Sequence, residues 1–320
     1  MADMEYAYAV ARIRGKELTL LTGDFLEQLI GAASSEDCIR LLKEKGWKEE
    51  TDDEAMLEAE REKTWNLIRE LAKDMSPFDV FLYVNDYHNL KAAIKEAYLQ
   101  SPRPEVFSDQ GTIEAEKIRN AVKTRKFGDL PEEMQEPAER AYRVMMQTGN
   151  GQLCDIILDR AALEAVGAAG KKSGDDFLKM YGELTVAAAD IKMAVRSVRT
   201  GRGGRFLEDA LAPCETLDKK ALIEASEKGT EGICLYLEKT PYSEGAGELR
   251  RSISAFERWC DNLMIRRLKP QRYNPFGLSP LAAYILAREN EIKSVRIILS
   301  GKRHQLSQES IRERVREMYV

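Results

Sequence analysis

Histidine is nearly missing from this chain: His88 and His304 are the only two in 320 residues. A carboxylate-bridged di-iron bundle takes Glu-x-x-His from two helices. Here Asn85 stands three positions before His88 and Gly301 three before His304. No H-E-x-x-H occurs, and the five cysteines (Cys38, Cys154, Cys214, Cys234, Cys260) are scattered without a C-x-x-C pair. These absences argue against zinc and di-iron chemistry. The odd cysteine count reads as reduced thiols of a cytoplasmic protein, not as a disulfide framework. Ten prolines and 21 glycines are few for this length and suit long uninterrupted helices better than a turn-rich β-protein. No run reaches the ~18–20 apolar residues of a membrane span; 161–170 comes nearest, and Glu164 interrupts it. The opening stretch has Asp3 and Glu5 and no apolar segment, so no secretory signal is expected. Forty-nine basic against 54 acidic side chains leave a net charge of −5, which exerts no global pull on nucleic acid or anionic lipid. With 43% hydrophobic and 32% charged residues, the chain has the make-up of a packed, soluble protein.

Motifs of chemistry are missing too. Gly201-Arg202-Gly203-Gly204-Arg205 has the glycines of a phosphate cradle but follows a helical pattern and lacks the lysine and hydroxyl of G-x-x-x-x-G-K-[ST]. A helix end is the expectation there. Asp52-Asp53-Glu54 starts like the D-D-x-x-D of helical terpenoid synthases, but Met56 stands where the last carboxylate belongs. Acids heading a helix are accounted for by the macrodipole. Glu58 and Glu62 lie one helical turn apart, as an acid pair could for catalysis, yet no base or metal set accompanies them and solvated acids are the simpler reading. No G-x-S-x-G occurs. No residue is assigned as catalytic, cofactor-binding or metal-ligating, and no cofactor is expected.

What is present is a repeat. Asn89-Leu90-Lys91-Ala92-Ala93, Asp190-Ile191-Lys192-Met193-Ala194 and Glu291-Ile292-Lys293-Ser294-Val295 superimpose without gaps, their lysines separated by 192 − 91 = 101 and 293 − 192 = 101 residues. Each sits in a long amphipathic stretch. Phe177, Tyr181, Leu184, Ala188, Ile191, Val195 and Val198 advance by fours and threes along one helical face. Tyr83, Tyr87, Leu90, Ile94 and Ala97 do the same, as do Leu281, Ile285, Ile292, Val295 and Leu299, with Arg288 breaking the stripe. Ser76-Pro77 and Ser279-Pro280 each offer a capping hydroxyl before a proline at the first helical position. Gly201 and Gly301 follow their lysines as helix exits.

A second element recurs: Gly23-Asp24-Phe25-Leu26-Glu27 echoes Gly204-Arg205-Phe206-Leu207-Glu208, and each leads to a short amphipathic helix, at 35–45 and 217–228. The first helices of each pair fall at 53–73, 131–169 (broken near Gly149-Asn150-Gly151) and 247–268. No region alternates as a strand does. The spacing predicts an all-α fold of three related helical subdomains, with boundaries at 1–110, 111–215 and 216–320. The chain opens and closes in the middle of a repeating unit. Lys91, Lys192 and Lys293 either cover the flank of the apolar stripe with their stems or pair with an acid on the neighbouring helix. Basic clusters near presumed helix ends (Arg196, Arg199, Arg202, Arg205; Arg266, Arg267, Lys269, Arg272; Lys302, Arg303) lack interleaved aromatics, so a contact surface for a protein partner fits them better than nucleic acid does.

Several separated segments resemble one family. Leu278-Ser279-Pro280-Leu281-Ala282-Ala283-Tyr284 and the run from Ala287-Arg288-Glu289 through Ile297-Ile298 are similar to the C subunit of archaeal and bacterial V-type (A-type) ATPases, counterpart of the eukaryotic d subunit of the vacuolar proton pump. Gly301-Lys302, Ser307, Ile311-Arg312-Glu313-Arg314 and Tyr319-Val320 extend the likeness, as do Tyr6 to Arg14, Leu20-Leu21 and Asp86-Tyr87-His88-Asn89-Leu90-Lys91. The resemblance implies a funnel of three helical subdomains about a pseudo-threefold axis. It implies a non-catalytic central-stalk role, joining the rotor shaft subunits of the soluble head to the membrane proteolipid ring. The protein would then lie on the cytoplasmic side, peripheral to the membrane, without spanning it or binding nucleic acid. The competing reading is a free-standing helical adaptor for a soluble partner.

Overall fold

The helical periodicity is realised throughout the computed structural model, which describes residues 6–320; Asp3 and Glu5 of the opening stretch lie outside the described residues. Among the described residues there are α-helices and short 3-10 turns and no strands. By contacts the chain divides into two compact units, Met1–Met75 with Arg251–Val320, and Ser76–Arg250.

The first unit holds α1 (Ala7–Glu17), α2 (Gly23–Gly31), α3 (Ser35–Glu44) and α4 (Asp53–Leu71), then α14 (Ile253–Leu268), α15 (Ser279–Arg303) and α16 (Gln308–Arg312). Its axis is α15, which packs against α1, α2, α3, α4, α14 and α16. A helix covered on all sides has to be apolar around most of its circumference, and most of α15 is buried, including Leu281, Ile285, Ile292, Val295 and Leu299. Ile292, Val295 and Leu299 share a core with Phe25, Leu29, Leu42, Trp47, Met56 and Leu57. The N-terminal helices thus complete the C-terminal ones. Asp52 caps α4 by accepting the Ala55 N–H at 2.8 Å, the structural use of the acidic heading.

The second unit holds α5 (Tyr83–Leu99), α6 (Ala115–Thr124), α7 (Glu132–Thr148), α8 (Gly151–Lys172), α9 (Asp176–Arg199), α10 (Gly204–Ala210), α11 (Lys219–Glu227), α12 (Gly229–Leu237) and α13 (Ser243–Arg251). Here α8 is central, packed against α5, α7, α9 and α10. The expected interruption near Gly149 is present: Gly149 adopts φ +64° as the C-cap of α7, and Asn150 caps α8 through the Leu153 N–H.

Four local expectations need correction. Ser76-Pro77 opens a 3-10 turn over Ser76–Phe81 that buries Phe78 and Val80, and the long helix starts only at Tyr83. Ser279 is itself the first residue of α15, so its hydroxyl is not the N-cap. The helix expected at 247–268 is two helices, because Ser252 leaves the helical conformation and its hydroxyl caps α14 through the Ala255 N–H. Gly301 is not an exit. It lies inside α15, where a Cβ would stand 2.6 Å from Ile311 Cγ1, so its missing side chain lets α16 close onto α15. Gly201, by contrast, follows α9 at φ +65°, as a helix-terminating glycine should.

Candidate functional site

The three lysine-bearing segments carry their most deeply buried polar groups two residues before the lysines. Asn89, Asp190 and Glu291 begin the matched segments, and all are buried, at 0%, 3% and 0% exposure. A polar group so placed is costly unless it is hydrogen-bonded. Each binds backbone that lies between helices. Asn89 Oδ1 accepts the Ser108 N–H at 2.8 Å while its Nδ2 donates to the Ser108 carbonyl at 2.9 Å. Asp190 Oδ1 accepts the Ala212 N–H at 3.1 Å, just beyond α10. Glu291 Oε1 accepts the Leu21 N–H at 2.6 Å, between α1 and α2. Connecting chain, with no ladder of its own, is thereby tied to the middle of a long helix.

Electrostatics differ among the three. The Asp190 carboxyl is pushed up to about 7 by burial, which its backbone bond to Ala212 only partly offsets. Burial also raises Glu291, against the pull of Arg288 and of the Leu21 N–H. Arg288, the residue that breaks the apolar stripe, stays in the core because Nη1 donates to Glu291 Oε2 and Nη2 to Glu60 Oε2, both at 2.6 Å. Asp86 is likewise raised by burial, although it accepts from the Thr112 hydroxyl at 2.7 Å and the Thr112 N–H at 3.0 Å.

The lysines divide between the two expected readings. Lys91 Nζ lies 2.5 Å from Asp159 on α8, and Lys293 Nζ 2.5 Å from Asp261 on α14. Lys192 makes no ion pair among the described residues. Partly exposed pairs of this kind contribute about 0–1 kcal/mol. The buried carboxylates and amide therefore matter more to the frame than the lysines that mark the repeat.

Candidate reactive groups are engaged in structural roles or dispersed. Glu58 pairs with Arg61 at the surface, and Glu62 is exposed. His88 Nε2 lies 2.9 Å from the Val106 carbonyl. Burial pushes the Cys38, Cys154 and Cys214 thiols up to about 11, away from thiolate reactivity. Among the described residues no three His, Cys, Asp or Glu side chains converge as metal ligands, and no helix is long and apolar enough to cross a membrane. A recess of about 730 Å³ in the first unit is lined by Arg12, Lys16, Lys45, Lys48 and Lys63, with Glu60 and Arg288 also on its wall.

The sequence pattern of the ATP synthase (C/AC39) subunit family matches residues 9–314. The chain belongs to this family. Among its relatives, the C subunit of the V-type sodium ATPase of Enterococcus hirae is 24% identical over 99% of both chains. The C subunit of the V-type ATP synthase of Thermus thermophilus is 25% identical over 95% of both. The C subunit of the A-type ATP synthase of Methanocaldococcus jannaschii is 24% identical over 96% of this chain and 85% of its own length. C/AC39 subunits are non-catalytic accessory subunits of V/A-type ATPases. In such a subunit, buried carboxylates bonded to backbone and to a single arginine serve the frame.

Proposed function

We propose that the protein is the central-stalk subunit of a V/A-type ATPase or ATP synthase, coupling the rotary shaft of the soluble head to the ion-carrying membrane ring from the cytoplasmic side. Membership of the C/AC39 family over nearly the whole chain carries this reading. The internal construction supports it. Interiors packed like organic crystals have low compressibility, and the bonds from Asn89, Asp190 and Glu291 resist sliding of the connecting chain along the long helices. In this reading the chain forms three related helical subdomains about a pseudo-threefold axis, 1–110, 111–215 and 216–320, the third completed by the N-terminal helices. A contact that persists under torque should bury on the order of 2,000 Å² or more.

The test is ATP-driven ion pumping by the purified complex with and without this subunit. Removal should abolish pumping while leaving hydrolysis by the head, and re-addition should restore it. Undiminished pumping by the stripped complex would refute the role. Co-purification with soluble clients instead of shaft and ring subunits would favour the adaptor reading.

A further inference from the structure

One end of the first unit combines exposed apolar side chains with cations that lack carboxylate partners. Leu18 is 88% exposed and Tyr273 85%, and Phe276 is 44% exposed. Arg14 on α1 joins the two segments that carry them, its Nη2 donating to the Gln271 carbonyl at 2.6 Å and to the Asn274 carbonyl at 2.7 Å. Leu18 follows Arg14 by one helical turn, so the i, i+4 spacing places it on the face of α1 from which Arg14 reaches the 3-10 turn Lys269–Tyr273 and the residue after it. Arg14 is fixed in turn by Glu17, at 2.7 Å, and Glu17 accepts the Tyr319 hydroxyl at 3.1 Å. The apolar tip is therefore braced rather than a loose loop.

Charge around the tip has one sign. Between Asp261 and Glu289 the sequence has no acid, and none occurs from Tyr6 to Lys16. Lys16, Arg267 and Lys269 are exposed and have no carboxylate partner among the described residues, and Arg272 is exposed with its guanidinium 5.8 Å from the Tyr319 ring centre. The nearby acids are committed: Glu17 to Arg14, Asp261 to Lys293 and Arg316, and Glu317 to Arg266. The chain's overall charge of −5 is thus reversed locally.

We propose that this tip rests on an anionic lipid surface, with Leu18, Tyr273 and Phe276 entering the headgroup region and Lys16, Arg267, Lys269 and Arg272 facing lipid phosphates. Leu18 and Tyr273, which stand almost fully in solvent, fit insertion into a soft interface, with the half-exposed Phe276 beneath the same boundary. Tyrosine and lysine or arginine are the residues that settle at such boundaries. Each cation near an anionic leaflet strengthens binding, and the attraction falls off within a Debye length. The contact is weak and reversible, suited to a surface that moves relative to the protein. It goes beyond the coupling role, and its test needs no other subunit.

The full-length chain is sedimented with vesicles of phosphatidylcholine alone and of phosphatidylcholine containing about one quarter phosphatidylglycerol. The parent should bind the anionic vesicles only, and lose binding when ionic strength rises from about 0.1 M to about 1 M. Arg267→Glu with Lys269→Glu, and separately Leu18→Glu with Tyr273→Glu, should each weaken binding at least ~fivefold. All four positions are exposed, so circular dichroism should be unchanged. Failure of the parent to bind anionic vesicles, equal binding to both vesicles, or undiminished binding by either double variant overturns the proposal. A chain that binds vesicles yet is dispensable for pumping would sink the coupling role and leave this inference standing.

Discussion

Replacing Asp190 by asparagine should make the protein more stable at neutral pH, although the residue is buried and hydrogen-bonded. The folded-state carboxyl sits at about 7, against an ordinary value of 3.8. Between those two pH values the folded chain holds a proton that the unfolded chain has released. Stability from this site is therefore complete below about pH 4, declines as pH rises to about 7, and then levels off. A difference of about three units at ~1.4 kcal/mol each amounts to a loss on the order of 4 kcal/mol by pH 8. An amide escapes that loss and can still accept the Ala212 N–H. Asn89 does so at the equivalent position of the first repeat, where it accepts the Ser108 N–H at 2.8 Å. Urea denaturation of both chains at pH 5 and pH 8 provides the assay. Near pH 5 the two should differ by roughly 1–2 kcal/mol; at pH 8 the Asp190→Asn chain should be ahead by on the order of 4 kcal/mol. Glu291 and Asp86, also raised by burial, add slopes common to both chains, so the difference isolates one site. Identical pH slopes would show that Asp190 stays ionised in the folded chain and that the argument from its burial is wrong.

Arg288→Met removes the cation bonded to buried Glu291 and leaves buried Glu60 only the exposed Lys63 at 3.2 Å, so it should cost about 3–5 kcal/mol at pH 8 in denaturant titration. The loss should shrink as pH falls, because burial already holds the Glu291 carboxyl above its ordinary value and protonation removes the unpaired charge; a loss below about 1 kcal/mol at pH 8 would contradict the ion-pair account. Ile191→Asp, at 0% exposure beside Asp190, should destabilise the second unit by about 3–5 kcal/mol. Unchanged thermal melting of that variant would overturn the assigned helix phase.

Helical content was legible because it depends on neighbours three and four residues apart. The phases of α5, α9 and α15 and the break at Gly149 follow from such short-range patterns, whereas the use of Asp52 as the cap of α4 is seen only in the structure. The family resemblance was legible for the same reason, carried by contiguous segments. Ser76-Pro77 misled because a proline fits the first position of a 3-10 turn as well as that of an α-helix, and burial of Phe78 and Val80 selects the former; at Ser279-Pro280 the α-helix does begin, but one residue earlier, with Leu278 at the cap position.

The amino-acid order alone thus determined that the chain is a set of amphipathic rods with three kindred members. It could not reveal why Asn89, Asp190 and Glu291 are tolerated in the interior, because their backbone partners lie 19, 22 and 270 residues away. Arg288 read as a flaw in a stripe until Glu60, 228 residues distant, was brought to it. Gly301 read as a stop signal until Ile311 was found against it. Periodicity encodes which face of a helix is turned inward, whereas the price of burying a charge depends on what folding sets opposite it, and only the tertiary structure decides that.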